Sequence, residues 1–154
     1  MNTCELLEIS SSIVPDRTAV IFENQKFSYK EKNQRSNILA NSFSEMGIEK
    51  GDRIALLDVN SNQHIETYFA AAKLDAIYVP INYRLKEVEF LKVLEAAKPK
   101  IVLFGNRYVK LIHNCIDKIQ SVKKYISLGT TSGQFIQYET LLTNENPRRS
   151  ISST

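Results

Sequence analysis

Apolar and polar positions change period along the chain, from near-alternation in short runs to recurrence every three to four residues in longer ones. Ala19-Val20-Ile21-Phe22, the polar Glu23-Asn24-Gln25 and then Lys26-Phe27-Ser28 predict a short β-hairpin. Ser28 with Glu31 three positions later is a capping-box pattern. Leu39, Phe43 and Met46 continue it at helical spacing, and Gly47 stands where a left-handed stop belongs. Gly51-Asp52 makes a turn, and Arg53 to Leu57 predicts a buried strand. Asn60 and Ser61 are positioned to cap a second helix with Ile65, Phe69 and Ala72 on its inner face. Ala76 to Val79 follows as a strand that Pro80 ends.

A third helix is predicted from about Glu87 to Ala97, with Val88, Leu91 and Leu94 inward, and Pro99 breaks it. Ile101 to Phe104 is the next strand. Leu111, Ile112, Cys115, Ile116 and Ile119 mark a fourth helix, and Tyr125 to Leu128 is the last core strand. Strands and helices alternate at crossover lengths. The expected class is therefore α/β: a mostly parallel, doubly wound sheet with helices on both faces, plus a small N-terminal β-hairpin. Residues 1–14 read as an N-terminal arm, 15–143 as the body and 144–154 as a polar, disordered tail.

Composition narrows the function classes without choosing one. A chain of 154 residues and 17.6 kDa is one ordinary domain, long enough to bury ~70% of its unfolded surface. Apolar residues make up 43% and charged ones 24%, a globular mixture. A net charge of +3 is too mild to imply nucleic acid or an anionic membrane. The basic pairs Lys123-Lys124 and Arg148-Arg149 have no interleaved aromatics, so no nucleic-acid partner is expected. Apolar runs such as Tyr68 to Ala72 are too short for a membrane span. Glu5 and Glu8 oppose a signal or transit peptide. Two cysteines make neither a disulfide framework nor a zinc cage, and a cytoplasmic chain with reduced thiols is expected.

Candidate chemistry is sparse. Gly129-Thr130-Thr131-Ser132-Gly133 has the small residues of a phosphate-wrapping loop. Gln134-Phe135 follow where a Walker loop needs Lys and a hydroxyl residue, so the segment reads as a turn. His64 and His113 lack ligand spacing and read as solvated or capping residues. Cys115 falls on an apolar stripe and reads as a buried thiol, while Cys4 lies in the arm with no activating neighbour. Asp58 follows a strand, where open sheets place functional carboxylates. Glu23 and Lys98, which a phosphoacceptor site would need beside it, are misplaced. No catalytic, cofactor-binding or metal-binding residue is assigned.

Four ordered blocks between about Pro15 and Leu128, at Phe27–Glu31, Met46–Ala55, Tyr68–Leu74 and Val79–Leu85, together resemble the amino-terminal region of the AMP-forming acyl-CoA synthetase (acyl-adenylate ligase) superfamily, and fatty-acid–CoA ligases in particular. Phe27-Ser28-Tyr29-Lys30-Glu31 is similar to the family's opening of its first helix. Met46-Gly47-Ile48-Glu49-Lys50-Gly51-Asp52-Arg53-Ile54-Ala55 resembles its Gly…Gly-Asp-Arg block, with Asn60-Ser61 at the expected distance. Tyr68-Phe69-Ala70-Ala71-Ala72-Lys73-Leu74 is similar to its next helix. Val79-Pro80-Ile81-Asn82-Tyr83-Arg84-Leu85, then Glu89, resembles the strand and turn that follow. Two positions depart: Asp75 where the family has Gly at a helix end, and Lys86 where a Ser or Thr cap is common.

The resemblance implies a reaction in which a carboxylate attacks the α-phosphate of ATP, giving acyl-AMP and pyrophosphate, before coenzyme A displaces AMP. It places the phosphate loop, the ribose-binding acidic motif and a C-terminal lysine downstream of this region. The chain is then expected to be an incomplete N-terminal subdomain, inactive alone and binding no cofactor itself, with ATP, Mg²⁺ and coenzyme A serving the complete enzyme. Its expected partners are the remainder of the ligase fold or a full-length homologue, with self-association through exposed apolar surface. The alternative is a free-standing α/β ligand-binding or interaction module.

Overall fold

The computed structural model describes residues 2–129 and 134–143. Helix α1 (Thr3–Ile13) is followed by β1 (Thr18–Phe22), β2 (Gln25–Ser28), α2 (Tyr29–Glu45), β3 (Arg53–Leu57) and α3 (Asn62–Lys73). Then come β4 (Ile77–Ile81), α4 (Glu87–Ala97), β5 (Ile101–Phe104), a 3₁₀ turn (Asn106–Tyr108) and α5 (Val109–Cys115). The chain continues through β6 (Lys124–Ser127), β7 (Ile136–Gln137) and α6 (Tyr138–Thr143). β1 and β2 form a separate antiparallel hairpin. The other five strands form one parallel sheet in the order β4-β3-β5-β6-β7.

Alternate residues of the central strands feed two cores. Ile54, Leu56, Ile101, Leu103 and Ile126 meet Leu39, Ala40 and Phe43 of α2, Ala70 and Ala71 of α3, and Tyr138 of α6. Ala55, Leu57, Val102 and Phe104 meet Phe90 and Leu94 of α4, and Ile112 and Cys115 of α5. The sheet is thus covered on both faces, which its near-continuous apolar strands require.

Local rules account for most boundaries. Ser28 Oγ accepts from the Glu31 N–H at 3.1 Å and the Glu31 carboxylate accepts from the Ser28 N–H at 2.9 Å, closing the box expected from sequence. Gly47 stops α2 with φ +93°. Lys86 has no side-chain acceptor, and the Glu89 carboxylate alone completes the start of α4 by accepting from the Lys86 N–H at 3.0 Å. Asp75 adopts φ 53°, a left-handed helix stop of the kind that favours glycine, held by the Asn2 amide at 3.1 Å.

Several expectations need correction. β4 runs through Pro80 rather than stopping at it. The Ile77 N–H donates to the Asp52 carbonyl, so residues 77, 79 and 81 face β3 and the Pro80 nitrogen lies on the open edge. The inner face of α3 is Glu66, Thr67, Ala70, Ala71 and Lys73; Ile65 is exposed, and Phe69 and Ala72 are half-buried. In α4 Phe90 and Leu94 point inward while Val88 is exposed. α5 ends at Cys115, and Ile119 reaches the core from the turns beyond.

Residues 3–13 form an amphipathic helix docked on α2 and α3. Cys4 and Leu7 are buried beneath it, and Lys73 bonds Glu8 at 3.0 Å and Asn33 at 3.1 Å. The polar tail 144–154 and positions 130–133 of the glycine-flanked segment lie outside the described residues.

Candidate functional site

β3 sends its crossover through α3 to β4 on one side, and the chain then returns through α4 on the other face to β5. Adjacent strands β3 and β5 are therefore where the winding reverses, and open α/β sheets hold ligands outside the carboxyl ends of such strands. Three strand ends meet there. The Asp58 carboxylate accepts from the Val59 N–H at 2.8 Å and lies over Gly105. A Cβ at residue 105 would stand 2.4 Å from Asp58 Oδ1. Asn106 repeats the arrangement on β6: a Cβ at Gly129 would stand 2.2 Å from its Nδ2. Each strand end thus rests its polar side chain on the glycine of the next.

His64 braces the same crevice. Its Nε2 lies 3.2 Å from the Asp58 carbonyl and its Nδ1 2.5 Å from the Tyr78 hydroxyl. A carbonyl can only accept, so Nε2–H donates to it, and in the uncharged form of the ring Nδ1 then accepts from Tyr78. Burial pushes the Tyr78 phenol upward, which keeps that donor protonated. Both ring nitrogens are therefore engaged in joining β3 to β4. The rim beyond carries Tyr83 and Arg84 after β4, and Arg107 and Tyr108 after β5. Arg84 Nε donates to the Tyr83 hydroxyl at 3.1 Å, and the Tyr108 hydroxyl donates to the Tyr83 carbonyl at 3.2 Å. Such a surface can present hydrogen bonds and positive charge as a wall. Among the described residues it pairs no nucleophile with a base.

A second polar constellation is centred on a fully buried carboxylate. Glu66 on α3 is 0% exposed and accepts from five donors. Oε2 takes Lys32 Nζ, Arg35 Nε at 2.8 Å and Asn62 Nδ2 at 3.3 Å. Oε1 takes Arg35 Nη2 at 3.0 Å and the Tyr138 hydroxyl at 2.8 Å. Arg35 also reaches Glu139 at 3.0 Å, and Lys32 Nζ sits 3.6 Å from the centroid of Phe27. Burial raises the Glu66 carboxyl, but the bonds and charge of Arg35 and then Lys32 outweigh it and hold the group below the usual carboxylate range. Burial, and then the adjoining carboxylate, push the Tyr138 phenol well up.

Of the residues singled out in sequence, Asp58 and His64 come together at the strand ends. Lys98 and Glu23 do not join them. The Lys98 carbonyl accepts from Arg53 at the opposite end of β3, and Glu23 turns the hairpin with φ 52°. Cys115 is buried as expected, and burial raises its thiol. Cys4, in the N-terminal arm, is buried too, and desolvation raises it likewise. His113 is exposed beside Phe135. Lys123 and Lys124 are exposed.

Lys32, Arg35, Glu66 and Tyr138 do not stand out in the sequence, although a signal is there. The stripe 32, 36, 39, 43 keeps helical spacing through Lys32 and Ser36, two polar positions that apolar counting skips.

A family model described as "AMP-binding enzyme" matches residues 7–152. The chain is 36% identical over 112 residues to a crotonobetaine/carnitine–CoA ligase of Salmonella paratyphi A, covering 70% of this chain and 22% of that protein. It is 29% identical over 110 residues to tyrocidine synthase 1 of Brevibacillus parabrevis, covering 71% and 10%. A solved fatty acyl CoA synthetase of Mycobacterium tuberculosis superimposes with a TM-score of 0.85 at 25% identity, covering 99% of this chain and 30% of that one. The chain thus spans less than a third of the length of each of these proteins.

Proposed function

The chain belongs to the AMP-binding enzyme family, and on that premise we infer that it is the amino-terminal scaffold of an ATP-dependent, AMP-forming acyl-CoA ligase. One observation carries the reading: a family match across nearly the whole chain, set against relatives more than three times as long. In the complete enzyme a carboxylate oxygen attacks the α-phosphorus of ATP and pyrophosphate leaves. The coenzyme A thiol then attacks the acyl carbon and AMP leaves.

This chain contributes the sheet and, through Asp58, Asn106 and the Tyr83–Arg84 and Arg107–Tyr108 rim, one wall beside the reacting groups. ATP, Mg²⁺ and coenzyme A are requirements of the complete enzyme. Among the described residues no group of three His, Cys, Asp or Glu side chains stands close enough to hold a metal ion, and no step is assigned to one. No helix among them is long and apolar enough to cross a membrane. Two free, buried thiols fit the cytoplasmic setting inferred for the enzyme.

Exposed Ile13, Ile21, Ile77 and Val88 supply apolar surface for the remainder of the ligase fold. The isolated chain is accordingly expected to bind hydrophobic dye or to self-associate, and a longer product to do neither.

The coding DNA beyond the Thr154 codon tests the reading. A continuing Ser/Thr/Gly-rich loop ending in Pro-Lys supports it, and the longer product should then catalyse carboxylate-dependent ATP–pyrophosphate exchange. The 154-residue chain should stay at blank with every acid. Exchange above blank by this chain would overturn its scaffold role, and a stop codon without that motif favours a free-standing interaction module.

A further inference from the structure

Residues 134–143 form a strap with few holds of its own. β7 has two residues, paired through Ile136 and Gln137 to Ile126 and Ser127 of β6, and α6 has six. A helix that short has no independent stability. Phe135 packs against Phe104 on one face of the sheet, with ring centroids 4.9 Å apart, while Ile136, Leu141 and Leu142 pack partly buried on the other. Tyr138 is the one fully buried residue of the strap, and it carries a hydroxyl into the interior. A buried hydroxyl without an acceptor is strongly disfavoured. The acceptor it meets is Glu66 Oε1, at 2.8 Å.

We propose that Glu66 is the positioning residue for this strap. Its carboxylate, compensated by Lys32 and Arg35, receives the Tyr138 hydroxyl and so fixes where β7 and α6 sit against the body. The arrangement is reciprocal: Lys32 and Arg35 approach from α2, Asn62 from the same helix as Glu66, and Tyr138 and Glu139 from α6. Glu139 is 55% exposed, so its pair with Arg35 is a weak tie. The Tyr138–Glu66 bond is buried and charge-assisted, and is the stronger one.

Hydrogen exchange of the 154-residue chain, read separately for peptides over 136–143 and over β3 and β5, tests it. Tyr138→Phe keeps the ring and removes the hydroxyl. It should speed strap exchange by about ten- to a hundredfold, the worth of a hydrogen bond to a charged group, while β3 and β5 are unchanged. Glu66→Gln should open the strap as well, and the double variant should open it no further than Glu66→Gln alone, because the hydroxyl acts through that carboxylate. Unchanged strap exchange in Tyr138→Phe overturns the proposal, as does acceleration of all peptides together or multiplication of the two effects in the double variant. If Glu66→Gln fails to fold, the outcome for Tyr138→Phe decides alone.

Discussion

The two helical layers on the sheet solve the same covering problem with opposite chemistry. α4 and α5 bury Phe90, Leu94, Ile112 and Cys115, and the fully buried part of that layer is apolar. α2, α3 and α6 bury Leu39, Phe43 and Ala70 beside Lys32, Glu66, Lys73 and the Tyr138 hydroxyl. The first layer is held by area removed from water, which is non-directional and forgiving of small shifts. The second depends on partners that must all arrive, because a buried charge left alone costs several kcal/mol. Packing therefore secures the α4–α5 face, while the α2–α3–α6 face is specified by pairing.

Single truncations sharpen the contrast. Glu66→Ala, which strands Lys32 and Arg35, is expected to cost about 3–5 kcal/mol in urea unfolding at neutral pH. Phe90→Ala in the apolar layer should cost a similar amount, about 3–5 kcal/mol. Acid separates them. The folded Glu66 carboxyl lies below its unfolded value of about 4.3, so its contribution is complete above that pH. It is lost as pH falls through the folded value. The Glu66→Ala penalty should therefore shrink toward pH 3, whereas the Phe90→Ala penalty should persist. Equal pH dependence of the two penalties would erase the distinction between the layers.

Smaller changes probe the strand ends and one helix stop. Gly105→Ala drives a methyl group into the Asp58 carboxylate and should lower stability by about 1–3 kcal/mol in thermal or urea melts. Asp75→Gly relieves a left-handed residue but gives up the Asn2 contact, so a gain of less than about 1 kcal/mol is expected. A loss in that variant would show that the Asn2 tether outweighs the backbone relief.

The same contrast explains what the sequence discloses. β3 and β5 are legible because continuous apolar runs between turns have few other uses, and α2 announces its start through Ser28 and Glu31. The inner face of α3 is not legible. Apolar spacing favours Ile65, Phe69 and Ala72, but the buried positions are Asn62, Glu66, Thr67, Ala70, Ala71 and Lys73, and the counter-charges of Glu66 and Lys73 lie 31 to 65 positions away. The same blindness hides α1, whose inward Lys73–Glu8 tie spans 65 positions. Pro80 misleads because the hydrogen it lacks would have faced outward, a fact fixed by strand order and not by local sequence. At the candidate site, Asp58 is placed by its position after a strand. Its contact with Gly105 needs the fold, since the two lie on neighbouring strands 47 positions apart.

The resting of Asp58 on Gly105, and of Asn106 on Gly129, has a consequence for how such a sequence can drift. Either glycine can acquire a side chain only at a cost while the neighbouring carboxylate or amide stays where it is, and either pair can change more freely if both members move together. Positions 58 and 105, and likewise 106 and 129, should vary as compensating couples across descendants of this chain, with bulk on one strand end traded for bulk on the next.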